Sequence, residues 1–176
     1  YFGRSVGIGG TIIVVGAYEE DTVASGAGQA YIFDLSGNQL GIITASDGAG
    51  NDYFGYSVDV SSTKIVIGAY ADDDNGPSSG SAYIYNHDGT GEVKITASDG
   101  AASDYFGRSV GVGSDKIVVG AYGGDDNGSS SGAAYLFDIS GKELGKFTAS
   151  DGAADDYFGY SVSIESNQVL IGASSD

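Results

Sequence analysis

Tyr53-Phe54-Gly55-Tyr56-Ser57-Val58, followed after a short polar link by Ile65-Val66-Ile67-Gly68-Ala69-Tyr70, is the stretch that decides the fold. Its opening Tyr-Phe-Gly recurs at Tyr1, Tyr53, Tyr105 and Tyr157, each 52 residues from the last. A fixed period of this length marks a repeat architecture, in which each copy is one supersecondary unit stacked on its neighbours. The copies occupy 1–52, 53–104, 105–156 and a partial fourth at 157–176.

Each copy predicts four short strands. The first follows Phe-Gly, as in Tyr56 to Val60. The second is the β-branched run Ile65–Ala69, whose unbroken apolar character suits a strand buried on both faces. The third is Ala82–Tyr85 and the fourth, weaker, is Val93–Thr96. Asp34-Leu35-Ser36-Gly37, Asn86-His87-Asp88-Gly89 and Asp138-Ile139-Ser140-Gly141 join strands three and four, each ending on the glycine a tight hairpin needs. No segment shows a helical period. The expected fold is therefore all-β, a series of four-stranded antiparallel blades of a β-propeller, about three and a half of them. A β-solenoid, with shorter rungs, is the disfavoured rival.

The motif resembles the FG-GAP repeat, which builds the propeller head of integrin α-subunits and many surface proteins. The resemblance covers the whole chain, with Tyr18, Tyr70 and Tyr122 (Ser174 in the last copy) where the family has Pro. It implies extracellular adhesion or scaffolding, often with Ca²⁺ in the loops. The integrin-type calcium loop lies between the first and second strands. Here that link is Gly9-Gly10-Thr11, Ser61-Ser62-Thr63, Gly113-Ser114-Asp115 or Glu165-Ser166-Asn167. These lack the carboxylates that a shell of 6–8 oxygens requires, so that site does not carry over.

The acidic residues lie elsewhere. In an up-and-down blade the link from strand two to three and the crossover to the next blade share one side. Counting Asp176, 16 of the 24 acidic residues fall there, and none of the seven Lys/Arg. Two readings of this side stand open. Asp, Asn, Ser and Gly serve turn chemistry, with the crossover Asp47, Asp99 and Asp151 capping their own loops. Alternatively, Asp21, Asp73 and Asp125, which share a column, bind Ca²⁺ together with Asp74 or Asp126 and backbone carbonyls.

The net charge of −17 excludes a nucleic-acid surface. No apolar run is long enough to span a bilayer, and no signal peptide is visible, though a targeting segment could lie upstream. With no Cys there is no disulfide or thiolate chemistry. His87 is the sole histidine, with Leu35 and Ile139 in its column, so it reads as a turn residue without a catalytic partner set. Paired carboxylates leave a glycosidase open by composition, but sites repeated in every blade are typical of binding surfaces. Phe2, Phe54, Phe106 and Phe158 are expected between blades; the preceding tyrosines read as half-buried packing rather than a sugar-stacking rim. Column four alternates Arg4, Tyr56, Arg108, Tyr160, a hint of a two-blade period. Asn127-Gly128-Ser129 is a glycosylation sequon on a loop.

Three and a half blades do not close a ring. The expectation is a fragment of a longer propeller, two copies making about seven blades, or an extended assembly. The leading function is a non-catalytic, extracellular binding or adhesion module with Ca²⁺ as a structural ion. Its partner is a protein or glycan at the cell surface, or copies of itself. The alternatives are a structural subunit of a surface filament and a lectin-like or polysaccharide-acting propeller.

Overall fold

A computed structural model describes residues 1–166 and 168–175. Asn167, in the last link between strands one and two, and Asp176, counted above with the acidic side, lie outside them. The described residues are all-β without helix. Three four-stranded meanders follow one another. They are β1 (Phe2–Gly9), β2 (Ile12–Ala17), β3 (Gln29–Asp34) and β4 (Gln39–Ile43); β5 (Ser57–Val60), β6 (Lys64–Ala69), β7 (Ser81–Asn86) and β8 (Val93–Ile95); and β9 (Ser109–Val112), β10 (Lys116–Ala121), β11 (Ala133–Asp138) and β12 (Glu143–Phe147). A two-stranded sheet of β13 (Phe158–Glu165) and β14 (Gln168–Ala173) completes the order. Every pairing among these strands is antiparallel and joins sequence neighbours, while isolated parallel bridges such as Gly28 with Phe54 link one copy to the next. These are propeller-like blades, and the sheets do not close into a barrel.

The sheets stack face to face through their second strands. Ile65 and Ile67 of β6 point into one core with Val14, Ile32 and Ile43 of the first sheet. Val66, on the opposite face, enters the next core with Phe106, Ile117 and Tyr135. An alternating strand buried on both sides explains why the sequence reads as one unbroken apolar run. Of the four phenylalanines expected between blades, Phe54 and Phe106 are fully buried between sheets and Phe158 partly so, whereas Phe2, with no sheet before it, is exposed.

Polar staples accompany the apolar contact. Ser5, Ser57 and Ser109 hydroxyls donate across the gap to the carbonyls of Gly55, Gly107 and Gly159, at 2.8–2.9 Å. The amides of Phe54, Phe106 and Phe158 donate to Ala27, Ser79 and Ser131 of the preceding copy. Gly68 lies where this approach is tightest: a Cβ there would overlap the Gly107 carbonyl oxygen. The first strands, β1, β5, β9 and β13, touch one another and form the inner wall of the stack.

Candidate functional site

On the acidic side, the link from strand two to three folds back through its own aspartates. Asp21 accepts the Gly26 amide (2.7 Å), Asp73 the Ser78 amide (2.7 Å) and Asp125 the Ser130 amide (2.8 Å). This column is thus engaged in turn geometry within each copy. Asp21 also lines a small pocket of about 220 Å³ with Glu19 and Asn51. Asp125 and Asp126 line another, of about 260 Å³, with Asp99, Asp104 and Lys146.

The crossover aspartates do not cap their own loops. That task falls to the next acidic column, where Asp52, Asp104 and Asp156 accept the amides of Ala49, Ala101 and Ala153. Asp47 and Asp99 instead reach the following sheet. Lys94 Nζ, rising from β8, lies 2.7 Å from Asp47, 3.0 Å from Asp72 and 2.5 Å from Asp74. The Tyr83 hydroxyl lies 2.9 Å from Asp47 Oδ1 and 3.1 Å from Asp72 Oδ2. One repeat later, Lys146 pairs with Asp99 and Asp126 while Tyr135 donates to Asp99 at 2.7 Å. Gly124 stands in the Asp72 column there, so that cluster has one carboxylate fewer. In the first copy Ile42 takes the lysine position, and Tyr31 accepts a bond from Gln29 instead.

The electrostatics follow from this packing. Burial alone would push the Asp47 and Asp99 carboxyls up, but the facing lysines and tyrosines bring both below the usual range. Lys94 and Lys146 are held above the ordinary lysine value by the carboxylates around them, against the burial that opposes it. Burial dominates at Asp52 and Asp104 and raises them despite the amide each accepts. Two substitutions separate these roles. Asp47→Asn is expected to lower stability by about 1 kcal/mol, less than a buried charge-assisted bond because the Asp47 side chain is about half exposed. Asp52→Asn keeps an acceptor for the Ala49 amide without a buried charge, so its melting temperature should equal or exceed the wild type's at pH 7.

Asp47, Asp72 and Asp74 bring their oxygens within 4.8 Å of one another, close enough to hold a metal ion. Asp74 is the only residue of the sequence-derived calcium set in this triad; Asp73 is outside it. The donor set is hard, yet the position between the three oxygens belongs to the Lys94 ammonium. An entering ion must displace it and find further oxygen ligands.

The second feature runs along the inner wall. Tyr18, Tyr70 and Tyr122 form a ladder with the Tyr-Phe-Gly tyrosines. Tyr1 stacks on Tyr18, Tyr53 on Tyr70 and Tyr105 on Tyr122, with edge and tilted contacts carrying the ladder from copy to copy. Burial pushes the Tyr70 phenol up to about 12. Beside the ladder, a cleft of about 560 Å³ is lined by the first strands of all four copies, with Arg4, Tyr56, Arg108 and Tyr160 in one row. Arg4 lies over the Tyr56 ring at 4.1 Å and donates to its hydroxyl at 2.6 Å. Arg108 lies 4.9 Å from the Tyr56 centroid and 4.3 Å from that of Tyr160. The alternation seen in the sequence is therefore a cation–π row across the copies.

The remaining singled-out residues have local roles. His87 Nε2 donates to the Ser61 carbonyl at 3.1 Å and ties the outer hairpin to the inner one. Asn127 is exposed on its loop, and its amide nitrogen donates to the Ala149 carbonyl.

The FG-GAP repeat model matches residues 1–33, 38–85, 90–137 and 142–176. The chain belongs to the FG-GAP repeat family. The matched units break in the hairpin between strands three and four, so an FG-GAP unit straddles two sheets: its first strand is the outer strand of the sheet before. The tyrosine ladder accounts for the departure from the family's Pro, since a ring there stacks on the Tyr-Phe-Gly tyrosine of the same copy. No curated protein matches the chain significantly in sequence. Among solved structures, the crystal structure of a eukaryotic initiation factor is similar at a TM-score of 0.51 and 10% identity. That alignment covers 87% of this chain and 33% of the other, and it is a likeness of fold alone. The chain spans about a third of the length of that structure's chain. Among the described residues, no helix is long and apolar enough to cross a membrane.

Proposed function

We propose that this FG-GAP array is a non-catalytic, extracellular binding module that engages a glycan or protein at the cell surface through the cleft of its inner wall. The observation that carries the reading is the cleft itself: equivalent residues of four copies, Arg4, Tyr56, Arg108 and Tyr160 among them, line one continuous surface. Repetition multiplies weak contacts along an extended ligand, whereas a catalytic pair needs one unique position. Calcium enters as a competitor of Lys94 at the Asp47–Asp72–Asp74 triad rather than as an ion in an integrin-type loop. The test is binding to arrayed cell-surface glycans and purified matrix proteins, with Tyr56→Ala as the cleft variant. Binding that this variant weakens supports the module. Release of sugar from a polysaccharide by the wild type, or no binding to any member of either set, overturns it.

A second reading, a subunit of a surface filament, has its own observation. Phe2, Val6 and Ile8 are 62–66% exposed on the first sheet, although their column mates Phe54, Val58 and Val60 are buried between sheets. Leu170, at 74%, is exposed on the last. Such faces match the interface already repeated within the chain and fit further copies of the repeat. Light scattering over a concentration series decides it: growth in mass favours the filament, and a constant monomer mass removes it.

A further inference from the structure

We propose that the Arg4–Tyr56–Arg108–Tyr160 row is a site for an acidic saccharide, in which the carboxylate of a uronic acid unit is held by a guanidinium of the row while a neutral neighbouring sugar lies against tyrosine. The inference rests on the reading of the cleft as a binding surface and names its ligand class. Four observations carry it.

Arg4 and Arg108 are the only arginines of a chain with 24 acidic residues, yet among the described residues neither makes an ion pair. The carboxylates take lysines instead. Second, the guanidiniums are positioned against tyrosine rings, a contact that does not use up their N–H donors. Arg4 gives one N–H to the Tyr56 hydroxyl, and Arg108 has ring contacts only. Third, both arginines approach the single Tyr56 ring, at 4.1 and 4.9 Å, which puts the two guanidiniums no more than about 9 Å apart and makes this stretch of the cleft locally positive. Fourth, the row lines a cleft with serine hydroxyls and with Tyr160, itself 40% exposed. That combination of flat aromatic surface, hydroxyls and a planar donor fork suits a sugar carboxylate.

The rest of the molecule restricts the choice. A net charge of −17 repels dense polyanions at long range, so the favoured ligand carries an isolated carboxylate in an otherwise neutral glycan. The arginines act at short range, where a desolvated, bidentate contact outweighs the screened field of the distant loops.

The experiment uses an aldobiouronic acid, a uronic acid linked to one neutral sugar, titrated against the whole chain. With no tryptophan in the chain, tyrosine emission is the intrinsic signal, and Tyr56 and Tyr160 of the row contribute to it; isothermal titration calorimetry gives the affinity. The expected result is saturable binding to the acid, with affinity at least about tenfold weaker for its carboxyl-reduced neutral form and for Arg108→Gln. Arg4→Gln, at the exposed end of the row, gives the same readout if Arg108→Gln melts early. Equal binding by the neutral form, or by the arginine variant that retains the wild-type melting temperature, overturns the proposal. Tighter binding of a glutamate peptide of the same charge overturns the saccharide class. If the acid does not bind while another glycan or matrix protein still does, and Tyr56→Ala abolishes that binding, this inference falls and the binding-module reading stands.

Discussion

Gly68→Ala is expected to destabilise the chain by about 3 kcal/mol or more, the upper range of overpacking, read as a lower urea midpoint. The added methyl has nowhere to go. It would overlap the Gly107 carbonyl oxygen, a backbone atom of the next copy, and crowd the Ser57 hydroxyl that donates to that carbonyl. Relief requires the second and third sheets to separate, which loosens the core around Phe106 and Val66 at the same time. Gly16 and Gly120 face the Gly55 and Gly159 carbonyls in the same way. Gly172 shares the column but meets only the Ser161 side chain at close range. Gly172→Ala is therefore the control, with a change below about 1 kcal/mol, because the Ser161 hydroxyl can turn aside where the Gly107 carbonyl cannot, and the remaining strand-propensity term is small. Equal losses at Gly68 and Gly172 would show that inter-sheet contact is not the cause.

Lys94→Ala is expected to cost about 2–3 kcal/mol at pH 7 and to create calcium dependence. Removing the ammonium leaves Asp47, Asp72 and Asp74 facing one another without a cation. The figure lies below that for a fully buried pair because the Asp47 and Asp74 side chains are about half exposed. Millimolar Ca²⁺ should raise the variant's melting temperature by several degrees and move the wild type's far less, since only in the variant is the position between the oxygens open. An equal calcium shift in both proteins would place the ion elsewhere.

The pH dependence carries a definite sign. Asp47 titrates below its ordinary value in the folded chain, so its contribution is present above that value and is lost as the pH falls through the folded one. Lys94 titrates above its ordinary value, so its share is present below that value and is lost as the pH rises through the folded one. The stability gap between wild type and Lys94→Ala should be flat around neutrality, and should close in acid below the ordinary Asp range and in strong alkali. A gap unchanged between pH 7 and pH 3 would mean that lost packing of the lysine stem, not charge, explains the variant.

Much of this molecule was legible without coordinates. The strand order and the hairpin turns depend on residues within one copy, whose local chemistry repeats, and the burial of Phe54 and Phe106 follows from their recurrence where one sheet meets the next. The sidedness of the acidic loops was legible too, because antiparallel order alone decides which links share an end. The role of Asp47 was misread for the complementary reason. A loop aspartate beside Gly reads as its own cap, and Asp52, five residues on, competes for that amide and takes it. Lys94 and Lys146 were not legible as partners of these loops, since each sits in the weakest strand and no loop of the acidic side holds a base. The available signal was the column itself: Lys where the first copy has Ile42, in the same copies that carry Asp74 or Asp126 where the first has Thr22.

The chain by itself determined the 52-residue period, four strands to each full copy, membership of the FG-GAP family and the polarity of its charge. These follow from periodicity and turn chemistry, which act over a few residues and are copied with each repeat. Tertiary structure alone decided who meets whom between copies: Lys94 with an aspartate 47 residues earlier, and Arg4 and Arg108 on the ring of Tyr56. Those contacts depend on the separation and rotation of one sheet against the next, set by the close glycine approach and the interdigitated cores. A repeat read one copy at a time contains neither quantity.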